Sequence, residues 1–178
     1  MKPIRYATVS SEDELLQILN LQKANLPEVL SNKELQDEGF VTVVHTLDLL
    51  KRMNKRCAHI LAKSEDQVVG YALCMHPDFR REIDILKPMF REIDKVISPE
   101  APYLIMGQIC IAKPYRKKGV FRGLYQKILK STQQEYSKII TEVDGRNQRS
   151  LTAHYAVGFQ DLSQYRSNGR DWYLIALQ

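Results

Sequence analysis

The apolar positions along the chain change their period several times, and each change marks an element. From Ile4 to Val9 apolar and polar residues alternate as on an edge strand. Ser11 and Glu14 form a capping-box pair ahead of Leu15, Leu16, Ile18, Leu19 and Leu26, which predicts a helix that Pro27 ends. Ser31 with Glu34 predicts a shorter helix stopping at Gly39. Phe40 to Val44 reads as a short strand or an extended loop, and Thr46 caps a helix through Leu49, Leu50 and Met53. Ala58 to Ala62 and Gln67 to Met75 read as a hairpin turned at Ser64-Glu65-Asp66. His76-Pro77 closes the second strand. Phe79, Ile83 and Leu86, then Met89, Phe90, Ile93 and Ile97, follow at helical spacing, which predicts a helical excursion from Asp78 to Ser98, broken near Pro88.

The second half opens on an apolar, β-branched strand from Leu104 to Ile111 that Pro114 stops. A helix from Lys117 to Glu135 carries Val120, Phe121, Leu124, Tyr125, Ile128 and Leu129 on its inner face. Lys138 to Val143 is a strand, Asn147 to Val157 a helix, and Phe159 to Leu177 a hairpin around Ser167-Asn168-Gly169. Strand, helix and strand in this order make a parallel crossover, so the predicted fold is α/β with a mixed sheet of about seven strands.

Composition adds bounds. With 178 residues, 44% of them hydrophobic, the chain is expected to form one domain, 1–178, with a full core. The formal charge of +5 permits an anionic partner, but 21 acidic residues are interspersed with 26 basic ones and the compact basic cluster is Arg116-Lys117-Lys118-Gly119. Nucleic-acid binding is disfavoured because no platform of interleaved aromatic and basic residues accompanies that cluster. Cys57, Cys74 and Cys110 form no Cys-x-x-Cys pair, which argues against a metal site or a disulfide framework and for a reducing, cytoplasmic setting. Met1 to Ser10 lacks an apolar signal core, and no run approaches the roughly 18 apolar residues of a membrane span, so no membrane association is expected.

The basic cluster lies between a strand and a helix, where backbone N–H groups and the helix dipole suit a phosphate or pyrophosphate. It has neither the Walker nor the dinucleotide-binding glycine pattern. Arg116 and Gly119 do fit the first and fourth positions of the coenzyme A motif of the GCN5-related N-acetyltransferases (GNAT), with Phe121 where a small residue is usual and Gly123 nearby to give room. Asn147-Gln-Arg-Ser150, His154 and Gly158-Phe159 are similar to that family's later helix. Both motifs stand in the family's order. The resemblance implies a mostly antiparallel sheet with one splayed parallel pair, and acetyl-coenzyme A as cosubstrate, with no metal.

It also implies roles. The backbone of Ile109, Cys110 and Ile111 would hold the pantetheine arm and supply an oxyanion donor. Lys117 to Arg122, through Lys118, Gly119, Val120 and Phe121, would hold the pyrophosphate, with Arg116, Lys117, Lys118 and Arg122 as cations. Asn147 and Ser150 are further donor-side candidates, although Asn147 is equally a helix cap. Cys110, inside an apolar run, reads as a small buried residue rather than a nucleophile. His154 stands where the family often has a tyrosine acid, with Tyr155 as its alternative one helical step away. Glu142 and Asp144 face one side of their strand, where one could act as a base through water; Gln108 could at most hold a water. The expected reaction is acetyl transfer to an amine of a small molecule or protein. A coenzyme A-binding sensor or assembly domain with little catalysis is the rival reading. The Asp78–Ser98 excursion is expected to wall the acceptor site, to contact a second copy in a homodimer, or to pack on the sheet.

Overall fold

The computed structural model describes residues 2–31, 40–41 and 43–178. Its sheet has seven strands in the order β1-β2-β3-β4-β5-β7-β6: β1 Ile4–Thr8, β2 Ile60–Ser64, β3 Gln67–Met75, β4 Tyr103–Ile111, β5 Lys138–Asp144, β6 Gln160–Ser167 and β7 Arg170–Leu177. Only β4 and β5 run parallel; the other neighbours are antiparallel. This is the mixed sheet that the residue patterns predict, with the mostly antiparallel order and single parallel pair that the family resemblance implies. Among the described residues five α-helices flank it: α1 Glu12–Lys23, α2 Leu47–Arg56, α3 Lys87–Val96, α4 Val120–Thr132 and α5 Gln148–Ala156.

The apolar β3 is buried on both faces because helices cover both. On one face α1 and α2 bring Leu15, Ile18 and Leu50 onto Leu61, Tyr71 and Leu73. On the other, Val120, Leu124, Tyr125 and Ile128 of α4 meet Ala62, Ala72, Leu104 and Ile139. Burial of a leucine or isoleucine of this kind stabilises the fold by about 1.5–3 kcal/mol. The excursion packs Met89, Phe90 and Ile93 of α3 against Ile105, Ile140 and Leu174, so it covers the sheet beside β6 and β7.

Local chemistry sets the element ends. Ser11 and Glu14 make the reciprocal capping box, and Glu14 also pairs with Lys63 of β2 at 2.8 Å, which ties α1 to the sheet. Thr46 caps α2. Asn168 and Gly169, both at positive φ, turn β6 into β7. Some boundaries differ from expectation. The first helix ends at Lys23, one turn before Pro27, since a residue preceding proline avoids the helical region. Pro88 stands in the first turn of α3 rather than breaking a helix, because there its missing N–H has no intrahelical partner to lose. The helix expected from Ser31 to Gly39 falls on residues 32–39, outside the described ones. Residues 40, 41, 43 and 44 form no strand; they are an extended loop, held by Val41 N–H on Asn25 O and by Gln108 Nε2 on the Val43 carbonyl. The space beside Gly123 is filled by the Tyr6 ring, within 2.1 Å of where a Cβ would stand, so this glycine serves the packing of β1 on α4 and gives no room to a ligand.

Two buried histidines hold their neutral form. Nδ1 of His59 accepts the Cys74 N–H at 3.1 Å, and Nδ1 of His45 accepts from Gln22 Nε2 at 2.9 Å. Burial lowers their pKa values to about 3 and about 4. A depressed folded-state value gives stability that is present above the unfolded value of about 6.5 and is lost as pH falls toward the folded value. Calorimetry is therefore expected to show Tm falling by roughly 5–10 °C between pH 7 and pH 5; a Tm that rises over this range would contradict the assignment.

Candidate active site

β4 and β5 pair over only three registers, Tyr103↔Lys138 to Ile105↔Ile140. At that point β4 carries a bulge: Leu73 faces Gln108 and Cys74 faces Met106, which leaves Gly107 as the extra residue. A bulge bends its strand, and beyond it β4 and β5 diverge. Thr141 bridges the start of the opening by donating from Oγ1 to Met106 O at 2.8 Å. From Gly107 to Ile111 the edge of β4 turned toward β5 has no strand beside it among the described residues. Its backbone groups can therefore bond an extended ligand laid into the opening.

Two connected hollows occupy this opening. The first, of about 260 Å³, is lined by Ile109, Cys110 and Ile111, by Arg116, Lys117, Gly119, Val120 and Phe121, and by Asn147 and Ser150, with Asn25 and Val41 across from them. Ten of the donor-side residues expected from sequence thus share one groove. Lys117 and Gly119 sit at φ +60 and +78, so the turn points its N–H groups into a concavity at the start of α4. A Cβ on Gly119 would meet nothing within 4 Å, so the backbone here is open to an incoming anion. These features fit a pyrophosphate. The side chains of Lys118 and Arg122 lie elsewhere: Lys118 Nζ bonds Pro114 O at 2.6 Å, and Arg122 bonds Ala156 O at 2.8 Å. Arg116 spans the groove's end, donating to Ile111 O at 2.9 Å and to Asn25 Oδ1 at 2.6 Å. Asn147 caps α5, accepting the Ser150 N–H. Burial pushes the Cys110 thiol up to about 12, which suits a packed residue and not a nucleophile.

The second hollow continues along the gap and is lined by Met106, Gly107, Gln108, Thr141, Glu142, Asp144, His154 and Trp172, with Val43 over it. Gln108 is not a water holder but the hub of a closed network. Its Oε1 accepts from Gln22 Nε2 at 2.7 Å and Tyr71 Oη at 2.6 Å, and its Nε2 donates to Val43 O at 2.8 Å. Gln22 Oε1 takes the His45 N–H, which fixes which end of that amide donates. The network clamps α1, Val43 and His45 onto β4 beside the opening.

The acid–base candidates separate by environment. Burial raises Glu142 to about 7, against the hydrogen bond that Tyr165 donates to its Oε2. Burial would raise Asp144 as well, but Arg146, through its guanidinium and N–H, and Arg170 hold it below the ordinary range. Of the two carboxylates, Glu142 alone can take up and release a proton near neutrality. His154 is 1% exposed. Its Nδ1 lies 2.7 Å from Ser150 O and so carries the hydrogen, while Nε2 accepts from Tyr125 Oη at 2.8 Å. Rings of Phe121, Tyr125 and Phe159 enclose it, and burial lowers its pKa to about 4. Tyr155 is 40% exposed and bonds Asp161 on the outer surface, away from both hollows. Sequence reasoning missed Tyr165 and the Gly107 bulge. A tyrosine on an edge hairpin carries no mark of its reach, and a bulge has no residue signature when its glycine has ordinary φ.

A sheet opened between its two parallel strands, with an anion-suited helix start beside the opening, defines the acyl-CoA N-acyltransferase class of fold. The model of the Acetyltransferase (GNAT) family matches residues 15–159. The chain belongs to the GNAT acetyltransferase family and is an acyltransferase. Solved structures agree in fold: the NatC complex bound to Gag peptide and CoA (TM-score 0.69, 15% identity, 99% of this chain and 98% of that one) and Arabidopsis thaliana Naa50 with the bisubstrate analogue CoA-Ac-MVNAL (0.66, 15%, 98% and 98%). A third is the ribosomal-protein-S18-alanine N-acetyltransferase from Escherichia coli (0.64, 9%, 98% and 93%). Comparison with curated proteins returned no match.

The His154 geometry predicts a stability effect. His154→Ala leaves a cavity and an unpaired, buried Tyr125 hydroxyl, and is expected to cost about 2–4 kcal/mol in denaturant unfolding. Adding Tyr125→Phe removes the orphaned hydroxyl and is expected to recover about 1 kcal/mol of that loss. A His154→Ala variant as stable as wild type would contradict this packing.

Proposed function

We propose that the protein transfers an acetyl group from acetyl-coenzyme A to a primary amine by direct attack in a ternary complex, with Glu142 as general base. The single observation that carries this reading is the place of Glu142: a buried carboxyl, raised by that burial to about 7, lines the same gap as the β4 edge that has no strand beside it among the described residues. The groove from Ile109 to Phe121, with Asn147 and Ser150, would hold the cosubstrate, its pyrophosphate on the N–H groups of the turn at Lys117–Gly119 and its pantetheine arm along β4.

The acceptor reaches the gap as an ammonium. Glu142 takes one proton, directly or through a water, and the freed nitrogen lone pair attacks the thioester carbon. Negative charge then develops on the carbonyl oxygen, where a backbone N–H of the Gly107–Ile111 edge stabilises it without reorganisation. Collapse of the adduct breaks the C–S bond and forms the amide, and the nitrogen sheds its second proton to water. A thiol has a pKa of about 8.5, so the departing thiolate is a good leaving group and takes a proton from the medium with no dedicated side-chain acid. His154, closed off by Ser150 and Tyr125, then serves packing, and Tyr155 serves the surface. The acceptor is an amine of a small molecule or protein; the peptide held by the NatC complex and the peptide analogue on Naa50 support a protein amino group.

Release of free thiol from acetyl-coenzyme A in the presence of a panel of amines and peptides tests this reading. Glu142→Gln is expected to lower kcat/KM at least about 100-fold at pH 7, with the thermal shift from coenzyme A unchanged. Gly119→Val forces a β-branched residue to φ +78 and is expected to raise KM for acetyl-coenzyme A about tenfold or more. Glu142→Gln with wild-type turnover would overturn the base assignment; Gly119→Val with wild-type affinity would overturn the donor site.

A further inference from the structure

Glu142 and Tyr165 belong to strands that do not touch. β7 lies between β5 and β6, with Glu142 opposite Leu174 and Tyr165 opposite Trp172. Two strand spacings are roughly 10 Å, a span that a tyrosine and a glutamate side chain together can close, with the phenol hydroxyl at the meeting point. Tyr165 Oη donates to Glu142 Oε2, while Oε1 makes no hydrogen bond among the described residues.

The strand that carries Tyr165 is itself held. Ser163, two residues earlier on β6, donates from Oγ to Glu92 Oε1 of α3 at 2.6 Å, and the other oxygen of Glu92 receives Lys95 Nζ at 2.6 Å. Glu92 is 8% exposed. The Tyr165 ring packs against the cluster that contains Phe90, Ile93 and Leu174. A run of contacts therefore leads from α3 through Glu92 and Ser163 to β6, and from β6 through Tyr165 to the carboxylate in the gap. α3 belongs to the excursion between β3 and β4, so this run gives that excursion a task at the site.

We propose that Tyr165 is a positioning residue for Glu142: braced by α3, its hydroxyl crosses β7, fixes Oε2 and leaves Oε1 for the acceptor's proton. The proposal rests on the reading of Glu142 as base. A hydroxyl that donates to the carboxylate favours its charged form, so Tyr165 keeps a buried carboxyl from being held as the neutral acid. The other titratable groups around the pair are few. Arg91 and Glu92 of α3 act on Tyr165 with opposite signs; Asp144 on β5 stays charged between Arg146 and Arg170; His154 of α5 borders the same hollow in its neutral form.

Carbon-13 NMR of glutamate carboxyls in the full chain tests the proposal without any ligand. Wild type is expected to show one glutamate titrating near pH 7, absent in Glu142→Gln, which assigns it. In Tyr165→Phe that midpoint is expected to move up by about one pH unit, and the acid limb of kcat/KM for thiol release to move with it. Ser163→Ala, which removes the bond to Glu92 while leaving every charge and the Glu142–Tyr165 pair in place, is expected to move the midpoint the same way by a smaller amount; if Tyr165→Phe shifts it and Ser163→Ala does not, the brace is overturned and the positioning role supported. An unmoved midpoint in both variants overturns the proposal while leaving Glu142 as base. A wild type with no glutamate titrating near 7 overturns the proposal at its root, and thiol release by Glu142→Gln decides separately whether the base reading stands.

Discussion

The structure depends on one constraint: the parallel pair β4 and β5 holds together for three registers and then opens. A parallel pair inside a sheet ordinarily continues until a strand ends. Here the bulge at Gly107 bends β4 while Thr141 still pins it at Met106 O, so the strands part at a fixed point. Backbone groups that would have bonded β5 are left facing a gap, and such groups need partners. A candidate binding site thus arises by subtracting a ladder, not by adding side chains. The closed network around Gln108 and Gln22 keeps the gap's wall in place, and its full satisfaction explains how so many polar atoms can lie buried beside an apolar core.

Much of the fold was legible because periodicity and turn chemistry agreed. The Ser11/Glu14 box, the Asn168-Gly169 turn and the inner stripe of α4 each state one local geometry, and the strand-helix-strand order around α4 requires a crossover. Pro88 misled because proline ends a helix and also begins one, and only neighbouring packing decides which. Gly123 misled for a similar reason: a missing side chain signals close approach without naming what approaches, and here it is Tyr6.

The site was half legible. The turn from Arg116 to Phe121 shows itself because a left-handed glycine and a basic cluster at a helix start serve a local purpose. The acid–base assignment rests on burial and on contacts such as Tyr165 to Glu142, 23 residues apart, and these the sequence does not display. Glu142 and Asp144 are two residues apart on one face of β5, yet Arg146 and Arg170 keep one charged while burial leaves the other near neutrality. His154 looked suited to proton transfer by type, but its two nitrogens are already engaged. Residue identity names what a group can do; the partners it has decide what it does.

The proposed transfer requires that the gap beside Gly107–Ile111 receive the thioester. Amide hydrogen exchange with and without acetyl-coenzyme A addresses it most directly. Slowed exchange is expected at Gly107–Ile111, at the turn Lys117–Val120 and at the start of α5, Asn147–Ser150, with β1 and β6 unchanged. Protection that leaves the β4 edge as it was, or that falls on another face of the sheet, would contradict it.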